Sequence, residues 1–574
     1  MTAKKGGAPA ARGGTPATGD GADRRRLASI DRVIKRHLSE LRRPGVLTVR
    51  PGIESAGGRI TGREAIVVTV DEKRARVPKG ARLPEEIEGI PVDVRQATAA
   101  QRLRRAAPKQ HAVLAATAPQ LAAPAFPFER AVGTGKLVPA PRLPAANKPQ
   151  IGYTPPTSPP LRSVSRRMTI VACASPDAGF TVLADFLSKV KERLTVALYD
   201  FTSADLLKSL VTSLDGGKAF TLVLDHPAPN PTANQSDEQT VAAIRKADGG
   251  MRQAWALTRG DPFAAKWIFP MAYHIKVAVG DSSSFWLSSG NWNVSNQPNL
   301  AAGEHDRGAL DTADRDWHVV VMDPGLARLY QAYIEHDFLV ASGAQRPKPD
   351  LRAKRAAASA VQAHARLQRA PKAKPPATAP APQGPPFTLG TPTEFRNVQV
   401  TIQPLLTPDR GKHGTMYVDK VLALLQSAKR RLYIQTQYIS QSKAGQSPPN
   451  FLRLIAAVGD AVRRKVDVRI ILSQYENSES DVELLHKYDL SRVVRIQQRV
   501  HNKGIVVDSR AVMVSSQNWS AEGVLQNRDA GVIIHNAAIA KFFEKIFLQD
   551  WAERATDRIV SSPHSSVVRI LEAR

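Results

Sequence analysis

Residues 274–281 read H-I-K-V-A-V-G-D and residues 501–508 read H-N-K-G-I-V-V-D, so the pattern H-x-K-x4-D occurs twice. After six further residues each copy carries a Ser-Ser-x-Asn tetrad, at 288–291 and 515–518, followed by a tryptophan. The differences 501 − 274 and 518 − 291 both equal 227. This shared spacing indicates an internal duplication that brings two histidines, two lysines and two asparagines to one site.

The duplication extends beyond the two motifs. Ser-Pro-Asp at 175–177 matches Thr-Pro-Asp at 407–409, and each is followed by a predicted helix and strand. Downstream, Arg-Asp at 315–316 matches Arg-Asp at 528–529 with an offset of 213, so the first copy holds 227 − 213 = 14 extra residues within 294–314. A segment of this length beside the tetrad predicts a longer loop near the site.

Strands alternate with helices in both copies, which predicts an α/β fold built from two α/β/α lobes with mixed sheets. Histidine and lysine are two positions apart in each motif, so on a strand they face the same side. The apolar residues after each lysine suit a buried strand.

The remaining chain divides by composition. Residues 1–22 are predicted to be disordered, and 23–98 form a small α+β domain with helical and strand-like apolar patterns. Ala/Pro-rich linkers follow at 106–165 and, with a basic character, at 341–390. They bracket lobe 1 at 166–340 and precede lobe 2 at 391–574.

Charge is distributed unevenly along the 574 residues, whose net charge is +28. Lys and Arg exceed Asp and Glu by 16 in 1–165, by 8 in 341–390 and by 8 in 391–574, whereas 166–340 has a deficit of 4. Two interpretations stay open: solvated basic tails, or adhesion to anionic lipid surfaces or nucleic acid.

Composition also bears on location. The single cysteine, Cys173, excludes an intramolecular disulfide and a cysteine-based zinc cluster. Neither a secretory signal nor an apolar stretch of about 18 residues is visible, so we expect a cytoplasmic or peripheral membrane protein. Export without a cleaved signal stays open.

The doubled motif, H-x-K-x4-D-x6-(G/S)-S-x-N, resembles the phospholipase D superfamily over both lobes. The resemblance implies two lobes packed as a pseudo-dimer around one site. It also implies cleavage of a phosphodiester through a covalent phosphohistidine, with no metal and no cofactor. This sequence departs from the family in having Ser288 and Ser515 where glycine is usual. Aspartate also follows each tetrad where the family often has glutamate.

The residue types fit that chemistry, because phosphodiester hydrolysis needs a nucleophile, an acid for the leaving oxygen and donors or cations for the phosphate oxygens. The family habit makes His274 the nucleophile and His501 the general acid, although the sequence alone does not order them. Four residues are expected to bind the phosphate: Lys276, Lys503, Asn291 and Asn518. Six have supporting roles: Ser289 and Ser516 through hydrogen bonds, Asp316 and Asp529 by orienting the histidines, and Asp281 and Asp508 as structural residues.

Three functions remain open at this point. The first is hydrolysis of a phospholipid head-group phosphodiester at a membrane surface, with no obligate protein partner. The second is a nuclease of the same superfamily that cleaves DNA or RNA. The third is an inactive descendant that only binds phosphate. Two fused, unequal lobes and a slightly acidic lobe 1 favour the lipid over a polyanion, which needs a continuous basic track.

Overall fold

The computed structural model describes a defined set of residues. They are 19–56, 59–71, 77, 82–108, 111, 128–132, 153, 155–156, 158–214, 217–225, 235–256, 272–300, 313–342, 390–412, 414–440, 448–473, 484–485 and 487–555. Most of 1–22, much of both predicted linkers and residues 301–312 of the extra segment lie outside this set. In the described part, no helix is both long and apolar enough to cross a membrane.

The N-terminal part is a five-stranded sheet with helices. Its elements are α1 (Gly19–Arg36), α2 (Leu38–Leu41), β1 (Val46–Ala56), β2 (Arg59–Val70), β3 (Glu86–Ile87), β4 (Ile90–Gln96), α3 (Ala99–Ala106) and β5 (Arg130–Ala131). The strand order is β3-β4-β2-β1-β5. Strand β5 lies in the stretch predicted as a linker. It pairs with β1, and Arg130 forms an ion pair with Asp31 at 2.6 Å.

Lobe 1 contains seven strands and four helices in the described residues. The strands are β6 (Val164–Ser175), β7 (Arg193–Leu198), β8 (Ala219–Leu224), β9 (Arg252–Trp255), β10 (Lys276–Gly280), β11 (Ser284–Ser288) and β12 (Asp316–Met322). The helices are α4 (Gly179–Ser188), α5 (Ala204–Leu214), α6 (Asp237–Ala247) and α7 (Pro324–Ser342).

Lobe 2 repeats this plan. Its strands are β13 (Thr393–Thr407), β14 (Arg410–Gly411), β15 (Gly414–Thr415), β16 (Arg431–Thr436), β17 (Ile439–Ser440), β18 (Asp467–Ser473), β19 (Val494–Gln497), β20 (Lys503–Val507), β21 (Ala511–Ser515), β22 (Trp519–Ser520) and β23 (Asp529–His535). Its helices are α8 (Met416–Gln426), α9 (Pro449–Arg463), the 3₁₀ turn Ser491–Val493, α10 (Ala521–Leu525) and α11 (Ala537–Glu553).

One 14-stranded sheet runs through both lobes. Its order is β19-β18-β16-β20-β21-β23-β13-β6-β12-β11-β10-β7-β8-β9, so the second half mirrors the first. The halves join where β6 and β13 pair in antiparallel register, from Ile402 opposite Val164 to Thr393 opposite Ala172. The sheet is mixed, because β7, β8 and β9 pair in parallel and the other lobe 1 pairs are antiparallel. The α/β fold class with mixed sheets is therefore confirmed.

The hydrophobic core explains why the lobes stay together. One side of the sheet has a single core cluster that combines residues of both lobes, whereas the other side has a separate cluster in each lobe. In the shared cluster the rings of Trp317 and Phe543 lie 4.9 Å apart, and Tyr330 donates a hydrogen bond to the Gly531 carbonyl at 2.7 Å. Burial of apolar surface is the main favourable term in such contacts, so each lobe stabilises the other.

Candidate active site

The two motifs lie on equivalent strands close to the junction. Each histidine precedes its strand, and each lysine is the first residue of β10 or β20. Lys276 and Lys503 are almost fully buried, and His274 is buried as well. Their side chains are brought together by contacts that cross between the lobes, such as Lys503 Nζ to the Ser289 carbonyl at 3.4 Å.

Each histidine is held by the aspartate of the opposite lobe. His274 Nδ1 lies 2.9 Å from Asp529 Oδ1 and 3.1 Å from the Ser516 carbonyl oxygen. His501 Nδ1 lies 3.0 Å from Asp316 Oδ1. Because a carbonyl oxygen only accepts, the ring proton of His274 sits on Nδ1, and Nε2 carries a lone pair when the ring is neutral.

The tetrad serines support these aspartates in the same way. Ser289 Oγ donates to Asp316 Oδ1 at 2.7 Å and accepts from the Trp317 N–H at 3.0 Å. Ser516 Oγ donates to Asp529 Oδ1 at 2.6 Å and accepts from the Ala530 N–H at 3.0 Å. Each serine therefore fixes one carboxylate oxygen relative to its own tetrad.

The asparagines Asn291 and Asn518 are 6% and 7% exposed. Their side-chain oxygens are buried and have no hydrogen-bond partner in the described part of the chain. Each of these oxygens can only accept, so it suits a donor from outside the protein, whereas a phosphate oxygen would be bound by the amide N–H groups.

The electrostatics favour an anion. Burial, followed by the charges of Lys276 and Lys503, holds the pKa of His274 well below its ordinary value. Burial and the nearby Lys503 likewise lower the pKa of Lys276. Burial and Lys503 also lower the pKa of His501, whose ring nitrogens lie 3.1 and 3.2 Å from Lys503 Nζ. A bound phosphodiester anion would relieve this crowding of positive charge.

The two aspartates differ in ionisation. Burial alone would raise the pKa of Asp316, but His501 and Lys503 outweigh it and the pKa is lowered. Burial raises the pKa of Asp529 to about 8, although Lys276 and Ser516 oppose the shift. Burial dominates at Asp529, whereas at Asp316 the charge and hydrogen bond of His501 outweigh it.

The motif aspartates Asp281 and Asp508 do not contact the histidines. Asp281 accepts from the backbone N–H groups of residues 191, 192 and 193, and Asp508 from those of 429, 430 and 431, at 2.7–2.9 Å. Burial would raise the pKa of each carboxylate, but these donors outweigh it and lower the pKa. Both residues therefore tie the end of the motif strand to the start of its neighbour.

The arginine of each Arg-Asp pair crosses the junction. Arg315 binds both oxygens of Asp550 in lobe 2 at 2.9 and 3.0 Å. Arg528 binds both oxygens of Asp337 in lobe 1 at 2.7 and 3.0 Å. Both arginines are buried, and both also pair with the aspartate of the Pro-Asp turn in their own lobe. In each pair the arginine thus locks the lobes together while the adjacent aspartate holds the opposite histidine.

The serines that replace the usual glycine have specific partners. Ser288 Oγ lies 2.6 Å from His318 Nδ1 and accepts the Gly290 N–H at 2.7 Å. The matching Ser515 in lobe 2 donates to the Lys503 carbonyl at 3.3 Å. Burial lowers the pKa of His318 to about 4, so this histidine acts as a neutral support beneath the tetrad.

Sequence reasoning missed Asn296, which is 1% exposed and contacts both the tetrad and Asp316. It follows Asn291 by five residues, and the residue at that distance from Asn518 in lobe 2 is Gly523, so comparison of the two copies gave no signal for it. Sequence reasoning also missed Tyr199, whose ring centroid lies 4.9 Å from that of His274 and 5.3 Å from Lys276 Nζ. Tyr199 directly follows β7, at the edge of the sheet where the ends of the strands place residues in the site.

Among the residues that the structure describes, no group of three or more His, Cys, Asp and Glu side chains could hold a metal ion.

Comparison with known proteins gives one family match and several structural ones. Residues 421–551 match the family described as "Cardiolipin synthase, PLD-like domain". Phosphatidylserine synthase from Haemophilus influenzae Rd KW20 is 14% identical, with 71% of this chain and 94% of that one covered at a TM-score of 0.42. Nuc, a phospholipase D family member from Salmonella typhimurium, is 20% identical, with 27% and 98% covered at a TM-score of 0.23. Curated protein sequences gave no match.

Proposed function

Because this chain belongs to the phospholipase D superfamily, whose members act on phosphodiesters, we propose that it hydrolyses the head-group phosphodiester of a phospholipid. The proposal includes a covalent phosphohistidine and no metal. Its substrate would be reached at a membrane surface, where the basic N-terminal 165 residues provide attraction to anionic lipid.

The observation that carries the proposal is the convergence of both motifs on one site. Two histidines are each held through Nδ1 by an aspartate of the other lobe, and two buried lysines lie beside them. This is the set of groups that an in-line displacement at phosphorus requires: a nucleophile, a proton donor and fixed positive charge.

The proposed order of events follows the family habit that makes His274 the nucleophile, and the tautomer of His274 is compatible with that role. With its proton fixed on Nδ1 and its pKa lowered, His274 presents the Nε2 lone pair to phosphorus. The N–P bond forms as the P–O bond to the leaving group breaks, and His501 gives its proton to the leaving oxygen. Water then attacks phosphorus and gives a proton to His501, while the P–N bond breaks and free His274 is restored.

A nuclease is the second candidate, and charge is the observation that favours it. The surplus of basic residues in 1–165, in 341–390 and in lobe 2 would suit a polyanion. The acidic balance of lobe 1, which forms half of the site, interrupts a basic track and favours the lipid.

One experiment separates these functions. Purified protein is incubated in a metal chelator with choline- or glycerol-headed phospholipid vesicles and, separately, with plasmid and single-stranded DNA. Release of phosphatidic acid without DNA cleavage supports the proposal. Metal-independent nicking of DNA alone overturns it in favour of the nuclease, and binding of phosphate analogues without turnover of either substrate assigns an inactive descendant.

Variants of the two histidines then test the mechanism. We expect His274→Ala and His501→Ala each to abolish turnover. Acid-quenched wild-type protein should retain substrate phosphorus as an acid-labile adduct that His274→Ala lacks. An adduct that survives in His274→Ala would reverse the order of the histidines.

A further inference from the structure

The lobes share their motifs but differ in the segment after the tetrad. Lobe 1 places 23 residues between Asn291 and Arg315, whereas lobe 2 places 9 between Asn518 and Arg528. The described ends of the longer segment return to the site. One of them carries Asn296, a buried amide at the junction of the tetrad with Asp316.

All the principal hydrogen-bonding groups of the Asn296 side chain are used. Its oxygen accepts the backbone N–H of Asn291 at 3.0 Å. Its nitrogen donates to Asp316 Oδ2 at 2.9 Å and to Asp314 Oδ2 at 3.2 Å. The amide therefore joins the backbone of Asn291 in the tetrad to the carboxylate that holds His501.

Asp316 consequently has donors on both oxygens. Ser289 and His501 bind Oδ1, and Asn296 binds Oδ2. The equivalent Asp529 has Ser516 and His274 on Oδ1, but its Oδ2 is buried without a hydrogen-bond partner among the described residues. Asn296 thus gives one histidine a better-anchored partner than the other.

We infer that Asn296 is a positioning residue that anchors Asp316 against His501, so that an amide present in lobe 1, where lobe 2 has Gly523 at the same distance from its tetrad, sets the geometry of the acid–base histidine. This inference rests on the proposed function, because it concerns the proton donor of the same site. A carboxylate anchored on both oxygens keeps the His501 ring in one orientation, with Nε2 directed toward the leaving group.

The charged and titratable groups around this pair come from both lobes. His318 is on the same strand as Asp316, and Asp314 immediately precedes the Arg-Asp pair. Lys503 contacts the His501 ring, and Lys276 acts on it across the site. None of these groups supplies a hydrogen bond to Asp316 Oδ2 in the described residues, so Asn296 is the group to change.

Two variants separate the links that Asn296 makes. Asn296→Ala removes the hydrogen bond to Asn291 and those to the two aspartates. Asn296→Asp keeps an oxygen for the Asn291 N–H but places an acceptor against Asp314 and Asp316. Val294→Ala is the matched control in the same segment, because Val294 is 44% exposed and lies outside the site contacts described above.

The kinetic test compares a phosphodiester with an alkyl leaving group and one with p-nitrophenol, which departs with little help from an acid. We expect both Asn296 variants to lose about 10- to 100-fold in turnover of the alkyl ester and much less with the p-nitrophenyl ester. Val294→Ala should match the wild type. Equal losses on both substrates, or full activity of Asn296→Asp, would overturn the inference.

A spectroscopic test does not depend on turnover. With isotope-labelled histidine, the hydrogen-bonded Nδ1 protons of His274 and His501 are assigned by His274→Gln and His501→Gln. Asn296→Ala should broaden or shift the His501 signal and leave that of His274 in place. An unchanged His501 signal refutes the positioning role. Wild-type protein that cleaves no phosphodiester but shows the expected change would refute only the proposed function.

Discussion

Asp316 and Asp529 occupy matching positions, but their hydrogen bonds make them chemically different. Asp316 receives three side-chain donors, and an amide in its place would turn an N–H toward at least one of them. Asp529 has an oxygen without a hydrogen bond among the described residues, so an amide N–H there faces fewer donors than at Asp316. We therefore expect Asp316→Asn to lower turnover by about 100-fold or more and by a larger factor than Asp529→Asn. Steady-state rates of the two purified variants check the ranking, which equal losses would contradict.

The raised pKa of Asp529 has a consequence for stability. A carboxyl with a folded-state pKa near 8, against about 3.9 in an unfolded chain, binds its proton more tightly when folded. The stabilisation is present at low pH and is lost as the pH rises through the folded value. The melting temperature of the wild type should therefore fall relative to that of Asp529→Asn between about pH 5 and about pH 8. If the melting temperatures of the two proteins change in parallel across this pH window, Asp529 titrates normally.

At the level of elements, Gly504 of β20 faces Trp317 of β12 across the junction of the lobes. A Cβ on Gly504 would lie 2.3 Å from two ring carbons of Trp317, which is fully buried and belongs to the other lobe. We expect Gly504→Ala to destabilise the fold by about 1–3 kcal/mol through overpacking. Activity should also fall, because the flanking Lys503 and Asp316 must shift.

A matched glycine controls this substitution. A Cβ on Gly249 would meet nothing within 4 Å, so Gly249→Ala should stay within about 0.5 kcal/mol of the wild type. Denaturant unfolding of both variants measures the difference. A Gly504→Ala protein as stable as the Gly249→Ala protein would show that the two strands separate without loss.

The sequence predicted the regular elements of the lobes well, because their patterns are local. The helix and strand predicted after each Pro-Asp turn are α4 and β7 in lobe 1 and α8 and β16 in lobe 2. Strand β5 escaped prediction for a physical reason. Its two residues are set in Ala/Pro-rich chain and owe their place to pairing with β1 and to the ion pair with Asp31.

At the scale of the whole molecule, three features hold the lobes together without the connecting chain. They are the pairing of β6 with β13, the shared core cluster and the two buried Arg–Asp pairs. A protease site introduced within 343–389 should therefore yield, after cleavage, two fragments that co-elute on gel filtration and keep their activity.

The same cleaved protein carrying Arg315→Ala is the informative comparison. Removing one partner of a buried ion pair leaves the other uncompensated and costs about 3–5 kcal/mol. The fragments with Arg315→Ala should separate at a lower denaturant concentration than the cleaved fragments that keep Arg315. Spontaneous separation of the wild-type fragments in buffer would contradict the structural account of the junction.

The composition of the candidate site was readable from spacing, since both motifs, both tetrads and both Arg-Asp pairs stand out in the chain. The hydrogen-bond partners of these residues were not predictable from spacing. Spacing along a chain does not say that Asp316 reaches His501 or that Asp529 reaches His274, because those contacts depend on how two sheets meet. Asn296 was hidden for a related reason, because the matching position in lobe 2 is Gly523 and no shared residue type marks the pair.

The crossed histidine–aspartate pairs constrain how such a duplicated chain diverges. Each copy contributes an aspartate whose effect is felt by the histidine of its sibling, so damage to one copy disables both. Selection therefore acts on the two halves as a single heritable unit, even though their sequences have drifted far apart. Substitutions in either copy are therefore expected to be tolerated only where they leave both crossed pairs intact.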